Sequence, residues 1–132
     1  MHITHCQIYL VEIKQTSPLA PYRSHIRTTD TTTKAIVELI TDTGIVGWGE
    51  HNQNFLDGIS IAAQNSAATE FIDGWDPYNI EQFLVENPFD TRLRCGLEMA
   101  MWEIIGKANN LPLYKMLGGK VRERIALAAC MG

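Results

Sequence analysis

Along the first third of the chain, apolar and polar positions alternate with a period of two; beyond Asn54 they recur about every 3.6 residues. Ile3 to Ile13 is rich in β-branched and aromatic residues, with Cys6, Ile8 and Leu10 on one face and Gln7, Tyr9 and Val11 on the other, which predicts a strand. Lys14 to Thr33, "KQTSPLAPYRSHIRTTDTTT", holds Pro18, Pro21 and many hydroxyl residues and predicts a long loop. Loops beyond about 12 residues without structure of their own are usually functional or disordered. "KAIVELIT", Lys34 to Thr41, predicts a second strand. "DTG" followed by "IVGWGEH" predicts an antiparallel third strand, because Gly44 can take the positive φ that a short hairpin turn requires.

Three helical stretches follow. "GISIAAQNSAATEFI" predicts a helix with a small-residue inner face at Ile59, Ala62, Ala63, Ser66, Ala67 and Glu70 or Phe71. "GWDPYNIEQFLVEN" predicts a second, with Asp76 as N-cap, Pro77 in its first position and Ile80, Phe83 and Leu84 turned inward. "NPFDTRLRCGLEMAMWEIIGKANN" predicts the longest, capped by Asn87, with Pro88 and Asp90 in its first turn. Its buried stripe is Leu93, Leu97, Ala100, Met101, Ile104, Ile105 and Ala108, and Asn110 with Pro112 ends it. "LPLYKML" predicts a short further turn, and Ile125 to Cys130 reads as a buried strand. That last strand either adds to the meander or belongs to a second domain.

Composition narrows the class. Of 132 residues, 45% are hydrophobic and 20% charged, a profile suited to one packed domain and not to disorder. A net charge of −4 without a basic stripe excludes nucleic acid as the expected partner. Cys6, Cys95 and Cys130 are widely spaced and form no CxxC pair, so neither a disulfide framework nor a zinc site is expected, and a cytoplasmic location fits. "MHITHCQIYLVEIK" carries charge and histidine where a signal peptide carries an apolar block, and no window approaches the ~20 apolar residues of a membrane span.

A meander ending in "GIVGWGE", then helices, then "LEMAMWEIIGKANNLPLYKMLGGKVRERIALAA", resembles the N-terminal capping domain of the enolase superfamily, in its mandelate racemase and muconate lactonizing branch. The family commonly has Asp where this chain has Glu103. The resemblance implies an α+β fold, a three-stranded antiparallel meander followed by a helical bundle, with residues 1–118 as capping domain. It also implies that 119–132 begin a truncated TIM barrel, with Ile125 to Cys130 as first strand. In that family a Lys or His base abstracts the proton α to a carboxylate and Mg²⁺ stabilises the enediolate. The groups responsible stand on later barrel strands, so the resemblance implies Mg²⁺ ligands and a catalytic base outside these residues. This chain alone is then expected to be inactive, with a carboxylate substrate, a barrel domain and a second copy of itself as partners.

Two loops of such a cap close over the barrel mouth, here roughly Thr16 to Thr29 and Glu50 to Leu56. On the first, Leu19, Tyr22, Arg23 and His25 are candidates for substrate contact, Arg as counter-charge and Leu and Tyr as water excluders. The plainer reading is solvated loop side chains with Leu19 and Tyr22 packed on the sheet. On the second, Glu50 is expected to anchor the strand end by a hydrogen bond or ion pair, and His51, Asn52 and Gln53 to form a specificity loop. Adjacent strand residues point to opposite faces, so Glu50 and His51 should not share a metal. Gly44, Gly47 and Gly49 form GxxGxG followed by polar loop, not a phosphate cradle; Gly47 and Gly49 share one strand face and imply close approach of another backbone. The rival function is a non-catalytic α+β binding or oligomerisation module.

Overall fold

The computed structural model describes residues 1–17, 20–23, 25, 28–52 and 60–127. Its main sheet has three antiparallel strands in the order β1 (Ile3–Lys14), β4 (Thr31–Thr41), β5 (Val46–Asn52). Two-residue strands β2 (Tyr22–Arg23) and β3 (Thr28–Thr29) pair with each other between β1 and β4. Helices α1 (Ile61–Ile72), α2 (Ile80–Glu86), α3 (Thr91–Ala108) and α4 (Leu113–Met116) follow. The fold is therefore the expected α+β meander with helices.

One sheet face is buried. Cys6 and Ile8 of β1, Ala35, Val37 and Leu39 of β4, and Gly47, Gly49 and His51 of β5 lie on it, under α1 and α3. Burial drives the Cys6 thiol up to about 12, so it remains a small uncharged core group. Ile3 is also fully buried despite its odd spacing from Cys6, because the β1–β4 register shifts between Ile3 and His5 and turns Ile3 inward. The predicted loop from Lys14 to Thr33 is shorter than expected. Thr31, Thr32 and Thr33 extend the ladder opposite Lys14, Ile13 and Glu12, as β-branched residues readily do.

The hairpin between β4 and β5 turns at Gly44, φ +78°, as predicted. Gly47 and Gly49 do admit another backbone: a Cβ on Gly47 would overlap the Ala100 carbonyl and lie 2.6 Å from Ile104 Cγ1, and one on Gly49 would overlap the Gly96 carbonyl. Only bare backbone lets α3 lie this close to β5.

The inner face of α1 differs from expectation. Gln64, Ala68 and Ile72 are buried and Phe71 packs half-buried against the core as expected, while Ala62, Ala63, Ser66, Ala67 and Glu70 are exposed; Ile59 lies outside the described residues. The reason is the sheet edge. Asn65 Oδ1 accepts from Ile8 N at 2.6 Å, Asn65 Nδ2 donates to Ile8 O at 2.9 Å, and Thr69 Oγ1 donates to Cys6 O at 3.2 Å. Unpaired backbone groups on edge strand β1 select the polar stripe of α1 over its alanines.

Capping also departs from the predicted positions. Asp76 stabilises a turn by accepting from Tyr78 N, whereas Asn79 stands at the α2 N-terminus. Asn87 ends α2, donating to Phe83 O and Leu84 O, and Asp90 caps α3 by accepting from Arg92 N and Leu93 N. An oxygen two or three residues ahead of those amides meets the N-cap geometry; Asn87 lies too far upstream. The α3 stripe is buried as predicted except for exposed Ala108. Asn110, φ 51°, closes the helix with Leu111 N donating to Gly106 O and Asn110 N to Lys107 O. Over Ile125 to Leu127, the described part of the predicted last strand, no strand pairing is present, and Ile125 and Leu127 are 79% and 97% exposed. Residues 128–130 lie outside the described residues.

Candidate functional site

The register places the departure points of both candidate loops at one end of the main sheet. Lys34 stands opposite Val11 on one side and Asn52 on the other, so the C-terminal ends of β1 and β5 flank the start of β4. The chain leaves β1 at Lys14 toward the first loop and leaves β5 at Asn52 toward the second.

At this end Lys34 gathers the polar side chains of the outer face. Its Nζ lies 2.8 Å from Glu50 Oε1 and donates to Asn52 Oδ1 at 2.6 Å. Glu50 is thus the ion-paired strand-end anchor read from the sequence. Lys34 was missed as a site residue; its signal was its position at the head of β4, visible only once the register was known. Next along this face, Tyr9 donates to Glu38 Oε2 at 2.7 Å, and that carboxylate holds the phenol above its ordinary pKa.

His51 points the other way, as strand geometry requires. It is buried on the core face, its Cδ2 over Gly96, and lines a cavity of about 140 Å³ with Gln64, Phe89, Asp90 and Arg92. Burial pushes its pKa down; the Asn52 carbonyl and the Asp90 charge oppose that, and Arg92 adds to it. The Asn52 carbonyl, 3.4 Å from Nδ1, can only accept, so the neutral ring carries its proton on Nδ1. Nε2 is buried with no hydrogen-bond partner among the described residues.

Tyr22 and Arg23 lie exposed on β2, and His25 is exposed between β2 and β3. Among the described residues no hydrogen bond or ion pair joins these three to Glu50, His51 or Asn52. Leu19 and Gln53 lie outside the described residues. Among the described residues, no three His, Cys, Asp or Glu side chains converge as a metal site. This donor set does not fit Mg²⁺, which needs about six oxygens near 2.0 to 2.1 Å. No helix among the described residues is long and apolar enough to cross a membrane.

A second concavity, a groove of about 660 Å³, lies on the far side of α3. Trp48, Met99, Trp102, Leu113 and Leu117 line it, with Glu98, Glu103 and Lys107 at its polar positions. Glu103 reaches from α3 to accept from Trp48 N on the β5 edge, and Lys107 donates to Val46 O at 2.7 Å.

The antiparallel meander followed by helices is the architecture of an enolase-superfamily N-terminal domain. Residues 7–118 match the family "Mandelate racemase / muconate lactonizing enzyme, N-terminal domain", and the chain belongs to it. It is 31% identical over 107 residues to D-galactonate dehydratase of Pectobacterium atrosepticum, covering 73% of this chain and 27% of that protein. It is 25% identical to D-gluconate dehydratase of Thermoproteus tenax, covering 92% of this chain and 26% of the relative. The dipeptide epimerase of Enterococcus faecalis V583, solved with Mg and the dipeptide L-Leu-L-Tyr, superposes with a TM-score of 0.74 at 27% identity, over 90% of this chain and 35% of that one. The chain thus spans about a quarter to a third of these relatives' length.

Proposed function

We propose that this chain is the capping and substrate-specificity domain of a Mg²⁺-dependent enzyme that abstracts the α-proton of a carboxylate, as a racemase, epimerase, cycloisomerase or acid-sugar dehydratase. The observation that carries the reading is the convergence of both loop departures at one sheet end, in a chain whose relatives continue well beyond it. Residues 1–118 form the cap, and 119 onward lead into a barrel that supplies the metal ligands and the base; no step of the chemistry is assigned to the cap. Mg²⁺, when bound in the barrel, stabilises the charge that develops on the substrate carboxylate.

The cap's own residues orient and enclose. Lys34 holds Glu50 and Asn52, and with them the end of β5. Tyr22, Arg23 and His25 on the first loop, with Leu19 and Gln53, are assigned to substrate contact, Arg23 pairing with its carboxylate. Glu50 and Asn52 act there through Lys34, and His51 supports the same strand end from beneath. The chain alone is inactive, and the whole enzyme is a cytoplasmic homo-oligomer.

Calorimetric titration of the 132-residue chain with Mg²⁺ should show no stoichiometric site. The coding sequence beyond Gly132 should continue in frame into a barrel with acidic strand ends, and that longer protein should exchange the α-proton of an acid sugar or dipeptide in D₂O. A tight Mg²⁺ site in the short chain, or a stop codon directly after Gly132, would count for the non-catalytic binding module instead.

A further inference from the structure

Asn52, the last residue of β5, is held from both faces of the sheet. On the outer face its Oδ1 accepts from Lys34 Nζ at 2.6 Å, and on the inner face its carbonyl lies 3.4 Å from His51 Nδ1. The inner contact depends on charge state. A neutral ring with its proton on Nδ1 donates to that carbonyl and leaves Nε2 a bare acceptor, buried and without a partner among the described residues. Protonating Nε2 creates a buried donor that nothing among the described residues receives, and places a charge in dry surroundings. The imidazolium therefore does not suit the position that the neutral ring takes.

Beside the ring there is room to turn. The cavity of about 140 Å³ that His51 borders is several times the roughly 30 Å³ share of one water, and Asp90 borders the same space. Both capping bonds of Asp90, from Arg92 N at 3.1 Å and Leu93 N at 3.0 Å, end on Oδ1, so Oδ2 can accept from an imidazolium while the cap persists. Among the described residues the charged groups facing the ring are Asp90 and Arg92, both at the N-terminus of α3; the carboxylate favours the imidazolium and the guanidinium opposes it. The other elements packed there present uncharged groups: Gln64, Ala63 and Ala67 of α1 line the cavity, and Ala35 of β4 stands opposite His51.

We propose that His51 is a two-position latch on the end of β5: neutral, it holds the Asn52 carbonyl; protonated, it turns through the cavity to pair with Asp90 and releases the strand end. Acidification then loosens Asn52, from which the second candidate loop departs, while the Lys34 contact on the outer face stays in place. What this does to substrate enclosure rests on the proposed capping role; the movement of the ring does not.

The test is NMR on the 132-residue chain as pH is lowered from about 7 to about 5, across the ordinary histidine range. At the upper end the His51 ring should carry its proton on Nδ1 and none on Nε2. Amide exchange over residues 50–52, corrected for its intrinsic pH dependence, should rise about tenfold on acidification, the factor that one unit of proton linkage supplies, and should rise less at Leu97 in the middle of α3. Asp90→Asn keeps a capping oxygen but removes the charge, and should move the transition to lower pH. Ala67→Leu fills the cavity from an exposed position on α1, and should abolish the response of the strand end while leaving the neutral ring in place. A proton on Nε2 at the upper pH would overturn the neutral position, and an equal rise at Leu97 would make the effect global unfolding and overturn the latch. An unchanged transition in Asp90→Asn would overturn the pairing, and a native response in Ala67→Leu the turn through the cavity. The proposed enzyme class is read separately, from α-proton exchange by the longer protein.

Discussion

The two edges of the main sheet meet the same problem with different chemistry. On β1 the outward backbone groups of Ile8 and Cys6 are taken by Asn65 and Thr69 of α1, all neutral and partly buried. On β5 those of Trp48 and Val46 are taken by Glu103 and Lys107 of α3, charged and more exposed. In both cases two helix residues four apart serve two strand residues two apart. Four residues of helix rise about 6 Å and two of strand about 6.7 Å, so an i,i+4 pair matches successive outward groups on an edge. The comparison teaches that the edges are closed by periodicity, while local dielectric decides whether amide or ion does the closing.

The contrast can be broken most severely at Gly49. Gly49→Ala drives a methyl into the Gly96 carbonyl and should cost about 3 kcal/mol or more, as overpacking against backbone does. Hydrogen exchange should show Trp48 N–H losing protection before Ile8 N–H. Equal loss at both amides would show that the edges are not separate units.

Asn65→Ala strands the Ile8 N–H and C=O in partly buried surroundings and should cost about 2–3 kcal/mol, read from the urea midpoint and nearly independent of salt. Glu103→Ala removes a charged acceptor from a more exposed edge; about 1 kcal/mol is expected, falling as salt rises. Equal salt dependence in the two variants would remove the distinction between the edges.

Smaller still is the pH effect of His51, whose ring lies beneath β5. Its folded pKa lies below the ordinary 6.5, so below that pH the unfolded chain binds the extra proton and the folded chain does not. Stability should therefore fall as pH drops below about 6.5 and level off below the folded pKa. His51→Gln should flatten that slope in thermal melts from pH 7 to pH 5 run at constant ionic strength. An unchanged slope would place the proton uptake elsewhere.

Much of this was legible in the residues. The alternation of Cys6 and Ile8 with Gln7 and Tyr9, the turn at Gly44 and the stripe from Leu93 to Ile105 carry strand, hairpin and helix through local geometry alone, and Gly47 and Gly49 announced the close backbone on their face. Candidate positions were legible to a lesser degree. Opposite faces for Glu50 and His51 followed from strand geometry, but the joint hold of Lys34 on Glu50 and Asn52 needed a register, and registers depend on residues far apart in the chain.

By itself, then, the sequence determined the three strands of the main sheet, the hairpin and the order of the helices, because these depend on spacings within a few residues, while β2 and β3 within the predicted loop were not legible. Tertiary structure alone decided that α1 turns Gln64 and Asn65 inward in place of its alanines, that Asp90 and not Asn87 caps α3, and that His51 is buried beneath α3. Hydrophobic periodicity measures the gain from burying carbon. An unpaired N–H or C=O on a sheet edge costs as much as several methylenes, and it enters the balance only when the edge and the helix have come together.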